Sequence, residues 1–318
     1  MSLLSFLVRR LLMMIPVLFG MSIIVFSLIH LVPGDPARVM LGLTATPDNI
    51  HTLRQQMGLD DPLWKQYAHW LWNLLHGDLG TDFRSHEPLT SMLLHRLPVT
   101  LELTLISVIM STVIAIPLGV IAAAKRRGAA NAASTTLGMV GISVPDFWFG
   151  VLLVLLFSKQ LDWLPPSGYR PMSEGVFLNL KYMFLPSLTL AIAMAAVLTR
   201  TTRAAMLETL DLEFIKFARA KGIRERLVIY KHALRNASIP IVTVLGLQFG
   251  YLLGGAVVVE TMFGLPGIGR MTLNAVNTRS YPIVQGGVLF IGFTFMFINL
   301  LTDLLYAVLN PRIRLGDA

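Results

Sequence analysis

The chain has 318 residues, 54% hydrophobic and only 14% charged, with a formal net charge of +8 and no cysteine. Soluble domains carry about 25% charged residues, so this composition, with its repeated long apolar runs, excludes an ordinary soluble enzyme and indicates a polytopic membrane protein. The missing cysteine excludes disulfides, thiol catalysis and cysteine-ligated metals, and the positive charge has its plainest origin in basic loops on the inner face of a membrane.

The first apolar run, Leu11–Leu31, follows Arg9 and Arg10. Secretory h-regions span about 7–15 residues; this run is longer, and it predicts an uncleaved first span whose N-terminus is cytoplasmic. Residues 33–99 are polar and rich in turn formers, from Pro36 and Pro47 to Gly77, Gly80 and Pro88. They predict an extracytoplasmic subdomain resting on the membrane. Trp64, Tyr67, Leu71 and Leu74 trace a helical stripe in it, and Trp64, Trp70 and Trp72 are expected near the interface.

Five more spans follow: Leu101–Ala124, Ala132–Phe157, Tyr182–Leu198, Ile239–Val259 and Ile283–Leu309. Val144-Pro145-Asp146 breaks the third, because proline removes a helical hydrogen bond. The loop Glu260–Pro282 holds Gly264, Pro266, Gly267 and Gly269, which read as a tight extracytoplasmic turn. Six spans place both termini on one side. The assigned inner segments hold 16 lysines and arginines, and the much longer outer segments hold 10, as positive-inside topology requires.

The longest charged interruption, Leu212–Pro240, lies between the fourth and fifth spans. Its basic residues are Lys216, Arg219, Lys221, Arg224, Arg226, Lys231 and Arg235. Gly222 suits the left-handed residue that ends a helix. Beyond it, Leu227, Tyr230 and Leu234 stand at i, i+3 and i+7, on one helix face. The pattern predicts a cytoplasmic helix–Gly–helix hook that serves as a docking surface. Its tether between two spans and its lack of a base-reading pattern argue against DNA, so no nucleic-acid partner is expected.

No G-x-x-x-x-G-K-[ST], H-E-x-x-H or G-x-S-x-G occurs, so neither a nucleotide-phosphate cradle nor a hydrolytic centre is expected in this chain. His69 and His76 alone make a weak metal site, and no resident cofactor or metal is expected. Four acids fall within or beside the spans: Glu102, Asp146, Glu260 and Asp303. Ionisable groups in a bilayer are costly and mark functional sites by default. Glu102 and Glu260 are expected near span ends within reach of water, and Asp303 beside a basic partner. Asp146, after the Pro145 break, is the best pathway candidate. Gln248, Gly250, Gly254 and Gly255 in the fifth span suit either pathway lining or close helix packing.

The segment Lys216-Phe217-Ala218-Arg219-Ala220-Lys221-Gly222 resembles the E-A-A-x-x-x-G loop signature of permeases of binding-protein-dependent ABC importers. Together with His232-Ala-Leu-Arg-Asn-Ala237 and Pro240, it resembles the peptide/nickel (dipeptide and oligopeptide) branch of that family. Pro33-Gly-Asp-Pro36, Gly58-Leu-Asp-Asp-Pro62, His76-Gly-Asp-Leu-Gly80, Pro266-Gly-Ile-Gly-Arg270, Tyr281-Pro282 and Asn310-Pro-Arg312 extend the likeness over nearly the whole chain. Lys216 and Phe217 depart from the general signature's Glu and Ala, and Ser280 stands where the branch often has Asp.

The resemblance implies an all-α, six-span type I importer permease (MetI-like) fold. Residues 1–32 would form the tail and first span, 33–99 the outer subdomain, and 100–318 the transmembrane domain carrying the 211–238 coupling loop. It implies a non-enzymatic subunit of a bacterial inner-membrane importer for di- or oligopeptides, with nickel or glutathione as alternatives. A proton-coupled secondary carrier is the alternative of a different class. The implied partners are a second, homologous permease forming a heterodimer, two cytoplasmic ATP-binding subunits holding ATP and Mg, a periplasmic or lipid-anchored substrate-binding protein, and membrane lipid. Lys216 to Gly222, Leu227 and Tyr230 would meet the ATP-binding subunit; Pro145, Asp146, Gln248, Gly250, Gly254 and Gly255 would line the pathway.

Overall fold

The computed structural model describes residues 3–31, 35–42, 45–56, 58–82, 85–125, 136, 138, 141 and 144–309. They are helical almost throughout; the only β-pairing among them is a single bridge between Thr81 and Pro88. Helix α1 (Leu3–Leu31) is followed by three short helices, α2 (Pro36–Leu41), α3 (Pro47–Gln56) and α4 (Leu63–Leu75). Helix α5 (Leu89–Ala124) leads to the break at Pro145, then to α6 (Asp146–Leu153), which continues as a π-helical turn, Val154–Gln160. Helix α7 is Val176–Leu210 and α8 is Glu213–Ala220. The short α9 (Glu225–Leu227) runs through a π-helical stretch, Val228–Ala233, into α10 (Leu234–Gly255). Helices α11 (Val257–Met262), α12 (Ile268–Thr278) and α13 (Tyr281–Leu309) complete the chain.

Five helical stretches are long and apolar enough to cross a membrane: Leu7–Ser27, Leu89–Ala124, Val176–Leu210, Glu225–Leu253 and Tyr281–Leu304. They correspond to five of the six expected spans. Most of the first half of the third, 132–143, lies outside the described residues; Pro145 in extended conformation starts α6 as its N-cap.

Two spans are longer than hydropathy alone suggests. Helix α5 begins at Leu89, not Leu101, because Leu89 and Leu93 are buried against Ile268, Met271 and Ile283. Helix α7 runs past Arg200 and Arg203 to Leu210, because Thr202, Ala205, Met206 and Leu210 form a buried stripe on its extension. At 1.5 Å per residue, a helix of that length reaches about 50 Å, beyond a hydrocarbon core of about 30 Å. The hook is built on this projecting end.

Helix α4 lies against α1. The Tyr67 hydroxyl hydrogen-bonds Ser22 at 2.8 Å, and Phe26 meets Tyr67 and Trp70 edge-on or tilted. The inward stripe is therefore Tyr67, Trp70, Leu71 and Leu74, while Trp64 and Trp72 are exposed. Trp64 is thus turned out of the predicted stripe, and Trp70 takes part instead.

Candidate functional site

The hook has a buried face and an open face. On α8, Ile215 and Ala218 are buried, and beyond Gly222 so are Val228, Ala233 and Ala237. They join one apolar cluster with Ala115, Val120 and Ala123 of α5 and Leu198, Ala205, Met206 and Leu210 of α7. The hook is thereby anchored to two spans. Its outward face carries Phe214, Phe217, Leu227 and Tyr230, all exposed. Leu234 turns inward onto the cluster, because the intervening π-helical turn carries more residues per turn and rotates the face away from strict i, i+7 alignment.

Gly222 ends α8 at φ +76°, and a Cβ there would meet nothing within 4 Å. Conformation, not space, demands glycine. The Gly222 amide donates to the Arg219 carbonyl at 2.9 Å and the Ile223 amide to the Ala218 carbonyl at 3.3 Å, the paired bonds of a Schellman cap. Arg219 clamps Glu225 across this turn with two hydrogen bonds, of 2.7 and 3.1 Å. That contact holds the Glu225 carboxyl below its usual range and raises the Arg219 guanidinium. Lys216 pairs with Glu213 at 2.7 Å, and the Lys221 ammonium sits 4.7 Å from the Phe217 ring centroid, within cation–π range. Arg224, Arg226, Lys231 and Arg235 are exposed. Glu213, Phe214, Lys216, Phe217 and Ala220 line a hollow on this outward face.

Between α6, α7 and α10 the structure brings together two of the pathway candidates. Asp146 and Gln248 line one cleft of about 190 Å³ with Tyr251 and the apolar walls Leu190, Met194, Val197 and Leu252. Pro145, which sets the break, is exposed. Gly250 faces α13 instead: a Cβ would approach the Phe295 ring to 3.0 Å. Gly246, one turn earlier, is pressed more tightly still: a Cβ there would fall 2.0 Å from the Thr302 side chain. The surroundings of Gly254 and Gly255 lie outside the described residues.

The outer end contains a site that sequence reasoning missed. Glu260, expected within reach of water, is fully buried. Its carboxylate accepts the Thr100 hydroxyl at 2.7 Å and the Arg270 amide at 2.8 Å. Thr100 in turn accepts the Ile268 amide at 3.0 Å. Two side chains from other helices therefore cap the N-terminus of α12, taking up amides that a helix leaves unpaired. Gly264 is a true turn residue at φ +69°, but Gly267 and Gly269 are not: a Cβ on Gly267 would fall 2.2 Å from the Glu260 carboxyl, and one on Gly269 2.7 Å from Val257. These glycines make room for the buried acid. The outer subdomain joins the same end, since the Ser280 hydroxyl donates to Asp82 at 2.9 Å.

The remaining embedded acids are also partnered. Tyr169 donates to Glu102 at 3.0 Å; burial, then the negative charge of Glu102, pushes the Tyr169 phenol up to about 12. Asp303 pairs with Arg10 of α1 at 3.1 Å, as expected of a span-end acid beside a basic residue.

Comparison with known proteins agrees over nearly the full length. The family described as "Binding-protein-dependent transport system inner membrane component" matches residues 115–315, and its N-terminal companion, "Binding-prot-dependent transport system membrane comp, N-term", matches residues 3–104. The glutathione transport system permease protein GsiC of Escherichia coli K12 is 42% identical over 311 residues, covering 98% of this chain and 99% of that protein. GsiC of Pectobacterium atrosepticum is 44% identical over the same length. The dipeptide transport system permease protein DppB of Alkalihalophilus pseudofirmus is 40% identical over 331 residues, again covering 98% of this chain and 99% of that protein. With a polytopic all-α fold and matches of this extent, the chain belongs to the inner-membrane components of binding-protein-dependent transport systems, in the peptide/nickel branch of the ABC importer permeases.

Proposed function

We propose that this chain is the permease of an ATP-driven importer of small peptides, moved by cytoplasmic ATP-binding subunits that dock on the α8–Gly222–α9 hook. The observation that carries the coupling role is the two-sidedness of the hook. Ile215, Ala218, Val228 and Ala233 fix it to α5 and α7, while Phe214, Phe217, Leu227 and Tyr230 face outward. An apolar ridge with basic flanks suits a cleft on a partner, and a ridge bolted to two spans transmits displacement as a rigid body. ATP and Mg sit on the partner subunits, two per importer. A second, homologous permease completes the pathway, and both termini are cytoplasmic.

Within the peptide class, GsiC relatives are named for glutathione and DppB for dipeptides. Both substrates carry a primary ammonium, a carboxylate and amide bonds. Asp146 and Gln248 are the pathway-lining residues of this reading, with Pro145 shaping the opening.

The test is Phe217→Asp in the assembled importer. It places a charge on the open ridge without touching the buried face. Peptide uptake and co-purification of the ATP-binding subunit should both be lost, while membrane insertion stays at the wild-type level. Wild-type uptake in this variant would end the coupling assignment.

A further inference from the structure

Of the four acids embedded in or beside the spans, three meet a partner from elsewhere in the chain. Glu260 is held by Thr100 and the α12 amides, one Glu102 oxygen by Tyr169 while its other oxygen is buried without a partner, and Asp303 by Arg10. Asp146 differs. It is half-buried at the first turn of α6; its carboxylate meets its own backbone amide, and among the described residues no ion pair or hydrogen bond from another side chain reaches it. Asp146 lines the cleft together with Gln248 and Tyr251, and its apolar walls include Leu190, Met194, Val197 and Leu252. A small apolar cleft with a few polar groups is the ordinary form of a small-molecule site. A carboxylate with only its own backbone amide for a partner is costly in such surroundings unless a cation meets it.

We propose that this cleft is a substrate station, in which Asp146 receives the primary ammonium of a passing peptide and Gln248 and Tyr251 offer it further hydrogen-bond acceptors. The assignment rests on the peptide reading above and names the residue that acts on it. One carboxylate suits a pathway better than a cage of several, because a transported group must leave as readily as it enters. The Pro145 break serves the same end: it places an acidic side chain at a helix start beside the cleft, where an unbroken helix would continue with backbone amides already paired.

The test uses the complex of this chain with its second permease and ATP-binding subunits. The probe is a dipeptide bearing a photoreactive diazirine side chain, with its amino terminus free or N-acetylated. The free-amino probe should label residues around Gln248–Leu252. Acetylation, or Asp146→Asn, should cut that labelling about tenfold, the worth of one charge-assisted hydrogen bond. Asp146→Glu should restore most of it. The Asp146→Asn complex should assemble at wild-type yield, which separates a lost contact from a lost fold. In vesicles with the binding protein present, uptake of the free-amino dipeptide should fall by a similar factor. Equal labelling of the wild type and Asp146→Asn, or labelling confined to sites outside the cleft, would overturn the assignment alone. A wild-type importer that carries no peptide would overturn the peptide reading, and this assignment with it.

Discussion

The hook and the Glu260–Gly269 turn at the opposite end, called the outer turn in the proposed orientation, are both a pair of short helices joined at glycine between two spans, yet they are built on opposite principles. The hook is shallow. Its polar pairs, Arg219–Glu225 and Lys216–Glu213, are exposed, and its key glycine faces empty space at positive φ. The outer turn is deep. Its acid is fully buried, and Gly267 has an ordinary φ of −90° but no room for a side chain. One surface stays open, and the other is closed on itself. The same residue type thus answers two demands, conformation in one place and volume in the other, and substitution can tell them apart.

The largest effect is expected at Glu260. Alanine there removes the acceptor of the Thr100 hydroxyl, which is buried, and of the Arg270 amide, which is partly buried. Each orphaned group costs about 1–3 kcal/mol, so Glu260→Ala should destabilise the assembled transporter by about 3 kcal/mol or more, read as loss of thermal stability in detergent. Glu260→Gln keeps one acceptor oxygen and should lose clearly less. Equal losses in the two variants would show that the outer turn needs both carboxylate oxygens of this residue, because glutamine keeps its volume and one acceptor.

Next come the two glycines. Gly267→Ala drives a methyl into the buried carboxyl and should cost about 1–3 kcal/mol as overpacking; Gly267→Asn, being larger, should be worse. At Gly222 the order reverses. Alanine there should cost about 1 kcal/mol for the left-handed conformation, and asparagine less, because its side chain tolerates that region. Purifying the four variants and ranking their melting temperatures decides the matter. The same ranking at both glycines would erase the distinction between them.

That distinction also marks how far the sequence can be read. Spans and hook were legible because apolar run length, flanking Arg and Lys, and a helix-ending Gly222 are all local signals. The cap on α12 was not, because Thr100 lies 160 positions from Glu260 and 168 from Ile268. Nothing near Gly267 in the chain announces that a carboxylate will occupy the space beside it. The face at Leu227, Tyr230 and Leu234 was half legible: two members are exposed, and the third is turned inward beyond a π-helical stretch that spacing alone does not reveal. Asp146 and Gln248 were each singled out for chemistry, and only the packing of α6 and α10 on α7 showed that they share a cleft.

The smallest effect sharpens the contrast through its response to pH and salt. In the hook, Arg219 lowers the Glu225 pKa on folding, so this pair stabilises the turn at pH values above the ordinary carboxylate range. The contribution fades as pH falls through the lowered value, where the proton returns to Glu225. The pair is exposed, which limits it to about 0.2–1 kcal/mol and leaves it open to screening. Hydrogen exchange at the Gly222 and Ile223 amides, whose bonds close the same turn, should therefore quicken modestly in high salt and in Glu225→Gln, with the two effects not adding. The Arg270 amide, bonded to a carboxylate that solvent ions do not reach, should keep its protection in the same salt series. Parallel responses at the two ends would mean that the outer turn is open to solvent in the membrane, and that its closed packing does not set it apart from the hook.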